Sequence, residues 1–288
     1  MDFEFRVNQR HTDDAEFPER RGLTILELLV TMAVLSALLA LALPALATAR
    51  EAARRVECTN HLRQIGLALH NYNDVHRSLP PAWRGASTRR SAFGWGSRLL
   101  PFVEQPALGS LIDQSGCLSN DSAQEARETT LRVFLCPSDT APRLFTIPDS
   151  SNGVDTLAVA TASYVGVYGT TEPDDIRPTP PGDGTFINDR PVRFAEIERG
   201  LSNTLVVGER SVSMFHSTWI GFDRRDADAE CRILGAAIEG PNCRECDECE
   251  FSSRHPGVTA FLFGDGHVRG LPDSIDQKTY QQMARRDE

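Results

Sequence analysis

Residues 28–47 form a run of twenty without a single charged side chain, most of them Leu and Ala. At a helical rise of about 1.5 Å per residue, such a run spans roughly 30 Å, the thickness of a bilayer's hydrocarbon core. No later stretch approaches it. The rest of the chain has the texture of a soluble fold, since 24% of all 288 residues are charged and the mean hydropathy is −0.30. These features predict one membrane span near the N-terminus, at about residues 26–47, with a soluble body behind it. The net charge of −10 leaves no cationic excess to neutralise phosphates, which argues against nucleic acid as a partner.

The segment entering the span is Glu19-Arg20-Arg21-Gly22-Leu23-Thr24-Ile25-Leu26-Glu27-Leu28. A secretory signal peptide has a shorter apolar run, with its small-residue cleavage site after that run. Here the apolar run is too long, and Glu27 sits inside its first turns. A carboxylate at membrane depth costs about 2.5–3.5 kcal/mol on insertion scales, so it marks function or pairing unless it lies at headgroup level.

This segment resembles the prepilin cleavage and methylation motif of type IV pilins and type II secretion pseudopilins. The resemblance implies that a prepilin peptidase cuts after Gly22 and that the new α-amino group of Leu23 is methylated. Glu27 then becomes the fifth mature residue and pairs with such an amine on a like subunit. Two opposite charges together in lipid cost far less than either alone. Leu23 departs from the commoner Phe. Pro44 falls where many pilins carry a helix-kinking Pro. Residues 1–22 read as a cytoplasmic leader, and residues 23–76 as one helix leaving the inner-membrane lipid to pack on a body of residues 77–288. Ala49, Ala52, Val56, Thr59, Leu62, Ile65, Leu69 and Tyr72 supply the packing face, at spacings of three and four.

Beyond Pro81, short β-prone stretches alternate with Gly, Pro, Asn and Asp clusters. They predict strands at residues 163–168, 204–208, 218–221, 259–263 and 268–271, with helices at 123–135 and 276–286. The fold class is therefore α+β, a long N-terminal helix against an antiparallel sheet. Cys58-Thr-Asn-His-Leu-Arg-Gln-Ile-Gly, Phe134-Leu-Cys-Pro-Ser-Asp139, Gly200-Leu-Ser-Asn203-Thr with Glu209, and His255 with Asp265-Gly266 occur in that order. Together they resemble a bacterial family of prepilin-type proteins with a large C-terminal domain of unknown function and a His-nine-residues-Asp-Gly motif. The likeness covers residues 23–281. It brings no activity with it. It does imply a bridge between Cys58 and Cys136, since both sit in family motifs.

His255 and Asp265 invite a catalytic or metal pair, but an intervening strand would hold them at opposite ends, roughly 30 Å apart if fully extended. Asp265 and Gly266 read instead as turn residues. Cys243, Cys246 and Cys249, with Cys231 upstream, suit disulfides, a tetrathiolate metal site or free thiols. An oxidising compartment and the neighbouring carboxylates favour disulfides, with no metal expected. Asp174 and Asp175 lack the ligand series of a Ca²⁺ loop. No nucleotide loop, nucleophile elbow or zincin helix occurs, so no enzyme and no cofactor is expected. The expected function is a pseudopilin-like structural subunit with its C-terminal domain in the periplasm or at the cell surface. The alternative is a membrane-tethered envelope binding module or hydrolase that uses the prepilin signal as an anchor.

Overall fold

The computed structural model describes residues 24–84, 91–148, 156–173, 181–226, 228–243 and 245–287. Gly22, Leu23, Asp174 and Asp175 lie outside them. The described residues fall into two units, one up to Ala49 and one from Arg50 onward.

Helix α1 runs over Ile25–His76 with Pro44 inside it. All its residues up to Arg50 are exposed. An apolar helix left bare in this way needs lipid or another helix to cover it. From Arg50 onward α1 belongs to the second unit, where it buries Cys58, Leu62, Ile65, Gly66, Ala68, Leu69 and Tyr72. The expected packing face is therefore too long at its start, since Ala49, Ala52 and Val56 are exposed. At that level the helix meets the body through polar side chains. Glu51 accepts from Ser138 Oγ at 3.2 Å and holds Arg54, so the small apolar residues face away. The helix ends at Arg77, which takes a left-handed φ of 61° and donates its N–H to Asn73 at 2.7 Å. Pro80 and Pro81 then forbid another turn.

The described residues of the second unit include ten strands: β1 (Ser91–Phe93), β2 (Leu144–Pro148), β3 (Thr156–Ala162), β4 (Tyr164–Gly169), β5 (Leu205–Glu209), β6 (Ser217–Thr218), β7 (Gly221–Asp223), β8 (Leu234–Ala236), β9 (Val258–Phe263) and β10 (Val268–Pro272). Five of them make the central sheet in the order β10-β9-β5-β4-β8, antiparallel except where β4 meets β8. Strands β2-β3-β6 and the pair β1-β7 form smaller sheets. All six residues of β4 are buried, because the central sheet is covered on both faces. On one face Leu62, Ile65 and Leu69 of α1 share a core with Val207 and Leu262. The approach is close enough that a Cβ on Gly66 would stand 2.8 Å from Leu262 Cδ1. On the other face lies the helix Gln277–Ala284, whose Tyr280 packs edge-on against Phe261. This helix begins where Asp276 accepts from Thr279 N–H at 2.8 Å, an N-cap that fixes its start.

Two expected elements differ. The helix expected at residues 123–135 is a single turn at Gln124–Glu128 between 3₁₀ turns at Asp121–Ala123 and Arg132–Phe134. The β-branched pair Thr129-Thr130 interrupts it, with Thr129 extended and its carbonyl taken by Trp219 Nε1 at 3.2 Å. The strand expected at 218–221 is split between β6 and β7, which pair with different partners, while Trp219 and Ile220 between them enter the core.

A buried guanidinium ties the far end of the body together. Arg210 donates from Nε to the Glu250 carbonyl at 2.9 Å and from Nη2 to that of Leu234 at 2.7 Å. It also holds the Cys231 and Cys249 carbonyls. The neighbouring Glu250 carboxyl accepts from the N–H groups of Ile238 at 3.0 Å and Glu239 at 2.7 Å. Burial nevertheless pushes it up to about 7, against these hydrogen bonds and the Arg210 charge. The folded state then keeps a proton that the unfolded chain has already lost above its ordinary value near 4.5. Stability therefore falls as pH rises through that window, by up to about 3 kcal/mol from this group. Glu250→Gln mimics the protonated acid, and we expect denaturation midpoints with a shallower decline between pH 5 and 8. An unchanged slope in urea titrations across that range would contradict this.

Candidate functional site

The first site is the start of α1. Thr24 donates from its N–H and its Oγ1 to Glu27 Oε2, both at 2.9 Å, and Glu27 N–H returns a bond to Thr24 Oγ1 at 3.2 Å. This is a capping box, with Thr at the cap and Glu three residues on. It satisfies amide groups that would otherwise be orphaned at the end of an apolar helix. Glu27 therefore has a local structural role besides the pairing role that the motif implies, and no other part of the chain covers its side chain.

The remaining motif residues divide into turns and a buried cluster. Asn203 is exposed in the 3₁₀ turn Leu201–Asn203, which follows Gly200 at φ 86°. Its Nδ2 donates to the Arg199 carbonyl at 3.0 Å and shapes the entry to β5. Asp265 and Gly266 occupy the β9–β10 turn. Gly266 has a φ of 89°, and Asp265 Oδ1 accepts from His267 N–H at 3.1 Å. Asp265 thus serves its own hairpin, while His255 lies before the opposite end of β9.

His255 joins a different group. Its Nδ1 is 2.6 Å from Glu51 Oε1, and its Nε2 is 3.4 Å from Cys136 Sγ and 3.8 Å from Glu209 Oε1. Cys136 is bonded to Cys58 across 78 residues of chain. Glu209 ends β5, and its Oε2 accepts from Ser253 Oγ at 2.8 Å. Burial, with the nearby Asp139 and Glu51 charges, raises the Glu209 carboxyl to about 8, against its hydrogen bond to Ser253. Asp139 accepts from Val212 N–H at 3.0 Å at the edge of the same group. Glu51 is held below its ordinary value: burial works upward, but the bonds from His255 and Arg54 outweigh it. Cys58, Cys136, Glu209 and His255 come one from each quoted motif. Sequence spacing did not reveal their convergence.

The other cysteines pair locally, Cys231 with Cys249 and Cys243 with Cys246, while Cys117 is a half-buried free thiol. Cys231 and Cys249 pack in a small apolar cluster with Ala236, next to the carbonyls that Arg210 holds.

The exposed apolar helix and its capped carboxylate define a class, a prepilin-type protein with an N-terminal anchor. Residues 18–43 match the prokaryotic N-terminal methylation motif. Residues 47–278 match the family described as a protein of unknown function, DUF1559, and the chain belongs to that family. No curated protein and no solved structure matches the chain. The motif implies processing by prepilin peptidase, and with the apolar helix it fits a single-pass inner-membrane protein.

Proposed function

We propose that this protein is a pseudopilin-like structural subunit with no catalytic role. Prepilin peptidase removes residues 1–22, the Leu23 amine is methylated, and the apolar helix carries the chain from the inner membrane into a pilus-like or secretion fibre. Within the fibre, Glu27 pairs with the Leu23 amine of a neighbouring subunit, and the α+β body lies outside the cytoplasmic membrane. The observation that carries this reading is the methylation motif at residues 18–43, leading into a helix whose apolar surface is bare apart from that one carboxylate. A bare helix of this kind has two physically sensible environments, lipid before assembly and like helices after it.

Two variants test the reading in the native host. Gly22→Val places a branched side chain at the scissile position, and we expect full-length precursor in the membrane fraction with almost no mature form. Glu27→Leu should insert and be cleaved, yet be absent from sheared surface fibres. Intact-mass measurement of the N-terminus and electron microscopy of sheared fractions read both outcomes. Normal fibres or surface display from Glu27→Leu would instead favour a tethered envelope module.

A further inference from the structure

The ligand atoms of Cys58, Cys136, Glu209 and His255 lie within 4.8 Å of one another, and all four residues are buried. They come from α1, the loop after the 3₁₀ turn Arg132–Phe134, the end of β5 and the loop before β9. Tetrahedral bonds of about 2.0–2.3 Å set neighbouring ligand atoms about 3.3–3.8 Å apart. The Nε2 of His255 already stands at such distances from Cys136 Sγ and Glu209 Oε1, 3.4 and 3.8 Å. We propose that the thiol form of this protein binds one Zn²⁺-class dication through Cys58 Sγ, Cys136 Sγ, His255 Nε2 and Glu209 Oε1, and that metal and disulfide are alternative clamps between α1 and the sheet.

Three observations support the assignment. The Glu51 carboxylate, 2.6 Å from His255 Nδ1, holds the proton on that nitrogen and leaves the Nε2 lone pair facing the sulfurs. A carboxylate behind a metal-binding imidazole has this arrangement. Glu209 presents Oε1 to the centre while Ser253 holds Oε2, so the buried carboxyl is aimed and has one oxygen turned to the site. Finally, two of the four ligand residues border the surface. His255 lines a surface groove of about 600 Å³ with Glu51 and Thr59, and Cys136 lines another of about 370 Å³ with Asp139 and His61. Two thiolates and an imidazole select a zinc-class ion over Mg²⁺ or Ca²⁺, which prefer all-oxygen shells.

Each ligand binds in its deprotonated form, so the ion displaces one proton from each of the two thiols and one from the Glu209 carboxyl. A disulfide oxidant of the thiol-exchange class reverses it. Two electrons pass from the two thiolate sulfurs to the oxidant, its S–S bond breaks as the Cys58–Cys136 bond forms, the oxidant leaves as two thiolates that take up two protons from water, and the dication is released.

The test uses the full chain in detergent, in a Cys117→Ser, Cys243→Ser, Cys246→Ser background that removes the accessible thiols. The reduced protein is titrated anaerobically with Co²⁺ and then Zn²⁺. We expect one ion per chain, with thiolate-to-cobalt charge transfer and tetrahedral d–d absorption bleached by Zn²⁺. His255→Gln should weaken binding by at least about a hundredfold, and Glu51→Gln by about 10–100-fold. The Glu51 variant changes a partly exposed side chain, so it retains the fold if the core substitution does not. Reoxidation should release the ion. Failure of the reduced protein to bind, binding indifferent to both His255→Gln and Glu51→Gln, or equal binding by the disulfide form would each overturn the proposal. Indifference to both variants would place the ion on Cys231 and Cys249 instead.

Discussion

Arg210→Met should leave the body of this protein unfolded or barely folded at room temperature. The side chain is fully buried, and its fork reaches the carbonyls of Cys231, Leu234, Cys249 and Glu250. Methionine fills much of the same volume but donates nothing, so all four carbonyls lose the guanidinium in a place water does not reach, and the Cys249 carbonyl is left with the Ala236 N–H at 2.9 Å. Each stranded group costs about 1–3 kcal/mol. The sum reaches a large part of the 5–15 kcal/mol that a domain of this kind has in total. Arg210→Lys retains the charge but cannot reproduce a planar fork serving several carbonyls, so we expect it to recover only a minority of the loss. Chemical denaturation of the full chain in detergent measures both. A Met variant with a wild-type midpoint would show that these carbonyls find other partners and that the guanidinium is not the organising centre.

Elements specified by local chemistry were legible in the sequence. The uncharged run predicts α1 from residue 23, while the Thr24–Glu27 cap that sets its start became visible only in the structure. Gly266, with its positive φ, and Asp265, which bonds within the turn, make the β9–β10 hairpin readable from residues 264–267 alone. The Asp276 cap does the same for the last helix. Strands β1, β2, β3 and β8 were not foreseen. Their side-chain pattern reflects neighbours distant in sequence, as when β3 pairs β2 through its residues 156–160 and takes β6 at Thr161 and Ala162. The segment at 123–135 misled for a similar reason: its composition favours a helix, but the core takes Leu131 and Phe134 in another geometry. For the buried cluster, sequence motifs named each residue, yet only packing of α1 on the sheet brings Cys58 and Glu51 to His255. The strand between His255 and Asp265 argues against pairing them, but nothing in the sequence says what His255 meets instead. Its neighbours in space are Glu51, Cys136 and Glu209.

Gly208→Val carries the other large expected effect, through sterics rather than polarity. Gly208 lies in β5, and a Cβ built there would stand 2.4 Å from Phe251 Cδ1 and 2.6 Å from Phe261 Cε1. On β8, a Cβ at Gly235 would come within 2.4 Å of Phe251 Cζ. The ring of Phe251 is thus seated on two strands at the places where each lacks a side chain, and it meets Phe261 edge-on at 5.1 Å. Phe261 in turn meets Tyr280 at 5.8 Å, which anchors the last helix to the sheet. A valine at 208 must push Phe251 away. Because Phe251 directly follows Glu250 and Cys249, that movement also pulls two carbonyls off Arg210. Overpacking alone costs about 1–3 kcal/mol, and the lost hydrogen bonds add to it, so a loss of about 3 kcal/mol or more is expected. The mechanism has its own signature. Phe251→Leu should be destabilising in the wild type, yet it should recover part of the loss in Gly208→Val, since the smaller side chain makes room. A double-mutant cycle by urea denaturation measures that coupling. Strict additivity of the two changes would show that the ring and the glycine do not share one space.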